Sequence, residues 1–362
     1  MKGQSVAVDF FAGCGGLSLG LKRAGFDVRA AVELDAVAAQ TYRANHRGTK
    51  LIEDDIRNVT ADDIMTAAGG RPALVAGCAP CQGFCSLTSK YKREDPRNGL
   101  VMDMLRLIEG LRPTAVMMEN VPGLVTRGED IFKRFVVGLR AIGYLPHWRV
   151  LQMADYGVPQ SRRRLILLAG RGFVIPFPEP THARVPTKGK KLWVPLRSKL
   201  QLGSPPVKLS ATWRNDEGPQ AFNWHVVRDL QPQTRARLAA ATPGQTWLTV
   251  AENLRPECHR DGYTGFTNVY GRMAWDEVAP TITTGCTTPA KGRFGHPDRR
   301  RTTISVREAA ILQTFPPKYK LRTDLIDEAC NMLGNAVPPH FARVIGRSVA
   351  DAISRHEETL AR

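Results

Sequence analysis

The stretch Val6-Ala7-Val8-Asp9-Phe10-Phe11, followed by Ala12-Gly13-Cys14-Gly15-Gly16 and then by Leu17, Leu21 and Ala24 at helical spacing, restricts the chain most. A short apolar strand that turns on glycines directly into an amphipathic helix is the opening of a parallel α/β sheet. Glycines let the backbone come close to a ligand, and the unpaired amides of the following helix suit an anionic group. Ser18 stands where the dinucleotide pattern G-x-G-x-x-G would require its last glycine, which argues against a nicotinamide cofactor. A second strand, residues 28–34, carries Glu33 about twenty residues beyond the turn, where an acidic side chain grips ribose hydroxyls. Turn and acid together predict a ribose-bearing cofactor; a tight packing turn without a ligand is the competing reading.

A second constrained stretch is Ala76-Gly77-Cys78-Ala79-Pro80-Cys81-Gln82-Gly83-Phe84-Cys85-Ser86. The apolar lead-in from Arg71 to Gly77 reads as a buried strand, and Pro80 prevents the chain from continuing as strand or beginning a helix. Cys81 therefore sits at a strand end, placed for nucleophilic attack. Three other readings remain open at this level: a Cys78-x-x-Cys81 redox pair, a metal site with Cys85, and a buried inert thiol. Pro80 and Gly83 disfavour the helix a redox motif opens, and Cys258-His259 lacks the second spaced pair that zinc would need, so no metal is expected.

Further along, a helix is expected from about Asp35 to His46. The carboxylates near Asp55-Ile56 either accept from an adenine amine or cap a helix. Residues 114–118 form a strand ending in Glu119-Asn120, which puts an acid on the same rim of the sheet as Cys81 and the glycine turn. Arg162 and Arg164 precede the strand 165–169 and share one face if extended, against the alternative of a solvated basic edge. Regular alternation stops between Gly172 and about Pro297. Between Arg171 and Arg214 lie Arg184, Lys188, Lys190, Lys191, Arg197, Lys199 and Lys208 against Glu179 alone, interleaved with Trp193 and Trp213, a composition suited to phosphate contact. Order resumes at the capped helix beginning at Ser305, and the last helix, from Pro338-Pro339, is expected to dock on the first domain.

The 51 Lys and Arg against 34 Asp and Glu give a formal charge of +17, which points to a polyanion, nucleic acid first and a membrane surface second. No apolar run reaches the ~18 residues that span a bilayer, and the first residues read as no signal peptide. With seven cysteines in 362 residues, a reducing, cytoplasmic setting is expected.

With these pieces in order, the chain resembles the DNA (cytosine-5) methyltransferases of bacterial type. Asp9-Phe10-Phe11-Ala12-Gly13-Cys14-Gly15-Gly16 is similar to that family's first motif, Pro80-Cys81-Gln82 to its nucleophile motif and Glu119-Asn120-Val121 to its acid motif. Gln160-x-Arg162-x-Arg164 resembles its arginine motif, and Gly334-Asn335-Ala336-Val337-Pro338 its last. The resemblance covers about 1–170 and 270–362. It implies a Rossmann-like sheet that binds S-adenosyl-L-methionine over residues 1–171. It further implies a smaller, loop-rich target-recognition domain with its hinge over 172–328, and a segment, 329–362, that returns to the catalytic domain.

By the same resemblance Phe11, Gly13, Gly16, Glu33, Asp55, Ile56, Pro80 and Asn335 hold the cofactor. Cys81, Glu119, Arg162 and Arg164 act on a cytosine flipped out of a specific double-stranded sequence, while Ser86, Lys90, Arg93 and Arg97 contact DNA from a loop beyond Cys81. A monomer is implied, with a cognate restriction endonuclease acting separately if one exists, and no membrane partner. Related enzymes use the same cysteine and acid on tRNA, so an RNA substrate is the nearest alternative. A catalytically silent nucleic-acid-binding protein is a further one, against which intact Cys81, Glu119, Arg162 and Arg164 stand. No motif lies in the recognition region, so the target sequence is not legible.

Overall fold

In the computed structural model, strands β1 (Val6–Phe10), β2 (Asp27–Val32), β3 (Lys50–Ile52), β4 (Leu74–Gly77), β5 (Ala115–Asn120), β6 (Tyr144–Gln152) and β7 (Arg163–Arg171) form one sheet in the order β3-β2-β1-β4-β5-β7-β6. The structure describes residues 4–80, 99–200, 203–209, 218–260 and 267–362. The first five strands of that order pair in parallel, and β7 runs antiparallel to both β5 and β6. Helices α1 (Gly16–Ala24), α2 (Ala36–Asn45), α3 (Ala61–Ala68), α4 (Leu100–Leu111) and α5 (Glu129–Ala141) connect or follow the strands.

Period-two alternation decides what each face of the sheet buries. Val8 and Phe10 of β1, Ala30 and Val32 of β2, Val75 of β4, Val116 and Met118 of β5, and Leu165, Leu167 and Ala169 of β7 share one core. That core also takes Ile64 of α3, Val101, Met104 and Ile108 of α4, and Phe132, Phe135 and Leu139 of α5. Asp9, between Val8 and Phe10, points to the opposite face, where Ser18 of α1 and Tyr42 of α2 meet it. Both faces are covered, which is why the parallel strands read as nearly continuous apolar runs.

Local signals set the helix ends. Asp35 caps α2 by accepting from the Ala38 amide at 2.8 Å, and Thr60 with Asp63 forms a capping box on α3. The C-terminal helix Pro339–Leu360 packs on α1. Gly20 permits that close approach, because a Cβ there would lie 2.3 Å from Ala342 Cβ and 2.6 Å from the Pro339 carbonyl oxygen.

The chain divides into two compact units: Met1–Tyr156, Arg163–Pro180 and Val337–Arg362 form the first, and Gly157–Arg162 with Thr181–Ala336 the second. The expected boundaries at 171/172 and 328/329 thus stand beside observed crossings at 180/181 and 336/337, and one short segment, 157–162, also belongs to the second unit. Its backbone is woven there, with the Ser161 amide donating to the Ala279 carbonyl and the Ala279 amide to Pro159. The second unit contains short parallel pairs (His182–Ala183 with Lys191–Leu192, Val207–Leu209 with Val226–Arg228) and the helices Pro232–Ala240, Val306–Leu312 and Ile326–Asn335. Ser305 and Glu308 close a capping box on Val306–Leu312.

Candidate active site

The strand order reverses at β1, which has β2 on one side and β4 on the other, so the carboxyl ends of these strands open the crevice where α/β sheets bind ligands. Phe11 leaves β1 with φ +58, and Gly13 and Gly15 follow at +55 and +92. Phe11 is a bulky residue in the left-handed region, a conformation that costs about 1–3 kcal/mol and persists where the surroundings enforce it. Gly16 is the first residue of α1 and is buried. At Gly13 an added Cβ would meet nothing within 4 Å, so the turn borders open space.

Glu33 lies just past β2 and is half-buried. One carboxylate oxygen accepts from the Gly13 amide at 2.7 Å and the other from the Asp35 amide at 2.8 Å. Burial raises its pKa from the ordinary carboxylate value, partly offset by those amides. The acid therefore shapes the glycine turn itself, and each oxygen keeps a lone pair for a further donor. Beside it Leu34 is 63% exposed, an apolar surface on the same rim that no sequence pattern singles out. Ile56 is buried in the core below, while Asp55 is engaged by Arg57 through Nε at 2.9 Å and Nη2 at 2.5 Å. Those bonds hold the Asp55 carboxyl below its usual range and compete with an adenine amine for its oxygens. The donor set fits a nucleoside cofactor: an acid with free lone pairs for ribose hydroxyls, an open glycine turn, and an exposed leucine for a base face.

The segment 78–80, which precedes Cys81 in the sequence, is pinned from two sides. The Cys78 amide donates to the Phe10 carbonyl at 3.3 Å, and Asn120 Nδ2 donates to the Ala79 carbonyl at 3.1 Å. Asn120 is itself fixed, its Oδ1 accepting from the Val121 amide. Pro80 is half-buried at the end of this segment. Cys81, Ser86, Lys90, Arg93 and Arg97 lie outside the described residues. Cys14, the thiol inside the glycine turn, is fully buried and its pKa is pushed up to about 12 by that burial, which removes it as a competing nucleophile.

Glu119 is the next-to-last residue of β5, and its Oε1 pairs with Arg164 Nε at 3.1 Å, both side chains largely buried. Arg164 reaches it because β7 runs antiparallel, so that the start of β7 lies at the end of β5; Asn120 pairs with Leu165 in register. The rim thus carries a carboxylate held by a guanidinium, next to Asn120, which anchors the Ala79 carbonyl.

The sequence pattern of the C-5 cytosine-specific DNA methylases matches residues 6–351. The chain belongs to this family. It is 36% identical to Type II methylase M.HgiDII of Herpetosiphon aurantiacus, over 94% of each chain. It is also 30% identical to Type II methyltransferase M.XorII of Xanthomonas oryzae pv. oryzae, over 98% of this chain and 87% of that one. Among solved structures, the methyltransferase Dnmt2 of S. pombe shares the fold at a TM-score of 0.61 with 17% identity, over 97% of this chain and 99% of that one. The chain is accordingly a DNA cytosine-5 methyltransferase, and the family's methyl donor is S-adenosyl-L-methionine. Among the described residues no helix is long and apolar enough to cross a membrane.

Arg162 and Arg164 do not present guanidiniums to one common partner. Arg162 is buried in the second unit, where Nη1 donates to Ile282 at 2.9 Å and Nη2 to the Gly334 carbonyl at 3.1 Å. The backbone just before Arg162 pairs with Ala279, whereas Arg164 lies within β7, which begins at Arg163. Asn335 belongs to the same unit, is exposed, and bonds to Asn331 at 3.2 Å. Gln160 is fully buried there, donating to Gln313 and accepting from the Ile282 amide at 2.9 Å.

Proposed function

We propose that the protein methylates carbon 5 of a cytosine flipped out of a specific double-stranded DNA sequence, through covalent addition of Cys81 to carbon 6. The observation that supports this reading best is the Glu119–Arg164 pair beside Asn120, which anchors the Ala79 carbonyl two residues before Cys81. Carbon 5 of cytosine is a weak nucleophile, and forming a sulfur–carbon bond at carbon 6 turns the ring into an enamine. Negative charge then develops on the ring, and a proton shared between Glu119 and ring nitrogen 3 offsets it. Arg164 keeps the Glu119 carboxyl oriented for that contact. S-adenosyl-L-methionine supplies the electrophilic methyl group when bound. Loss of the proton from carbon 5 to a base then lets the sulfur–carbon bond break and frees the thiol. A stacked base cannot reach such a rim, so the cytosine has to leave the duplex.

Phe11, Gly13, Gly16, Glu33, Asp55, Ile56, Pro80 and Asn335 form the proposed cofactor contacts, with Glu33 on the ribose. Ser86, Lys90, Arg93 and Arg97 would contact DNA near the cysteine, and the second unit would read the sequence. The Type II names of the relatives support a restriction-modification setting, with any endonuclease a separate protein and this chain acting as a monomer in the cytoplasm. Bisulfite sequencing of DNA from cells expressing the protein should reveal one methylated sequence. A duplex with 5-fluorocytosine at that site should trap the enzyme covalently, because fluorine cannot leave as a proton does. Cys81→Ser should abolish the trapped species and Cys78→Ser should retain it; near-native methylation by Cys81→Ser would refute the mechanism.

A further inference from the structure

A buried arginine in the second unit has no ion-pair partner among the described residues and is committed instead to one surface turn. Arg272 is 1% exposed. Its Nη1 donates to the carbonyls of His296 at 2.6 Å, Arg301 at 3.0 Å and Asp298 at 3.3 Å, its Nη2 to Arg299 at 3.5 Å, and its Nε to Leu238 at 2.6 Å. Burial lowers its pKa to about 10, so it remains a cation at neutral pH. A buried guanidinium is costly unless its donors are satisfied, and here converging carbonyl dipoles satisfy them.

The base of the turn is closed independently. The His296 amide donates to Thr302 at 2.9 Å, Ile304 to Phe294 at 3.0 Å and Arg301 to Asp298 at 3.0 Å. The arginines on the turn are not equivalent. Arg301 turns inward to Glu308 and to the Ser204 carbonyl, both at 3.2 Å. Arg300 is held by Asp298 through Nη2 at 2.8 Å and Nε at 3.0 Å. Arg299 is exposed and has no ion-pair partner among the described residues. Arg272 and Arg301 are thus directed into the turn, Arg300 is an exposed side chain paired with Asp298, and Arg299 is an exposed guanidinium without an ion pair among the described residues.

We propose that the His296–Thr302 turn is a preorganised DNA-backbone contact in which Arg299 binds a phosphate. The proposal rests on the family's DNA substrate. A clamped turn loses little conformational freedom on binding, so the guanidinium's attraction to phosphate is not consumed in ordering the loop. A phosphate contact fixes the protein's position on the duplex without reading sequence.

The test is DNA affinity as a function of salt, on a duplex bearing the sequence the wild type methylates and on a random-sequence duplex. For Arg299→Ala the slope of log affinity against log salt should shrink by about 0.9, so that the affinity lost between about 50 and 200 mM salt is about 3.5-fold smaller than for wild type. The weakening should be the same on both duplexes, and Arg299→Lys should retain the wild-type slope. Arg355→Ala, an equal loss of charge on the C-terminal helix, should leave the slope alone. An unchanged slope in Arg299→Ala overturns the proposal, as does an equal change in Arg355→Ala. Weakening confined to the methylated sequence, unrescued by lysine, overturns it in favour of base reading. Methyl transfer by the wild-type preparation is measured alongside; if that fails, the enzymatic reading falls, whereas the slope still judges Arg299. For the clamp itself, Arg272→Lys should speed amide exchange at His296, Arg301 and Ile304 by about tenfold, since one ammonium cannot reach carbonyls fanned around a guanidinium. Unchanged exchange would remove the clamp from the argument.

Discussion

Substituting Asp9 by asparagine tests the electrostatics beneath the cofactor turn. Asp9 is fully buried in β1, its Oδ2 accepting from Ser18 Oγ at 2.6 Å, and Ser18 is bonded in turn to Tyr42 Oη at 2.7 Å. Burial raises the Asp9 pKa from 3.8 to about 7, opposed by the Ser18 bonds and reinforced by Glu33. Between those two values the folded protein holds a proton that the unfolded chain has released. Stability therefore falls as pH rises from about 4 to 7, and becomes independent of this group above that range. A shift of about three units corresponds to roughly 4 kcal/mol, an upper bound that is a large share of a typical ~5–15 kcal/mol total. The asparagine side chain has no titrating proton, so the stability of wild type minus that of Asp9→Asn should decline across this window by up to ~4 kcal/mol. Urea denaturation followed by circular dichroism at each pH measures both proteins, and the difference removes contributions from all other carboxylates. A difference that stays level from pH 4 to 7 would show that Asp9 is ionised in the folded state and would refute the reasoning.

Glu33→Ala removes the acceptor for the Gly13 and Asp35 amides as well as the proposed ribose contact, and should weaken S-adenosyl-L-methionine binding by ~1–3 kcal/mol in calorimetry; tighter binding of NAD than of S-adenosyl-L-methionine by the wild type would sink the cofactor assignment. Gly20→Ala drives a methyl group into the backbone of the C-terminal helix, costing ~1–3 kcal/mol against a helix-propensity gain of about 1, so thermal stability should drop; an unchanged melting temperature would contradict the packing of that helix on α1. Arg164→Ala should lower kcat and, by leaving the buried Glu119 carboxyl unpaired, lower the melting temperature as well; an unchanged kcat would remove Arg164 from the reaction. Arg162→Ala, which strands the Ile282 and Gly334 carbonyls, should cost roughly 3 kcal/mol of stability, and an unchanged melting temperature would contradict that packing.

Local chemistry in the sequence is sufficient for the strand-turn-helix at Val6–Ala24, the acid after β2, the cap at Ser305 and the strand that ends in Glu119, because periodicity, glycine and capping act within a few residues. The same holds for the order of family motifs, which needs no coordinates. Whether Arg162 and Arg164 share a face cannot be read that way. The answer depends on residues more than a hundred positions away, since Ile282 and Gly334 carbonyls claim Arg162 and the antiparallel β7 brings Arg164 to Glu119. Asn120 likewise reads as part of a motif, but its bond to Ala79 arises because β4 and β5 are neighbours in the sheet. Ser18 reads as a missing glycine; packing of α1 and α2 on β1 makes it the middle of a buried polar chain. Arg272 and Arg299 are two arginines among many in a basic region, and the tertiary structure separates the clamp from the exposed tip because burial and hydrogen-bond partners belong to the fold, while composition records only charge.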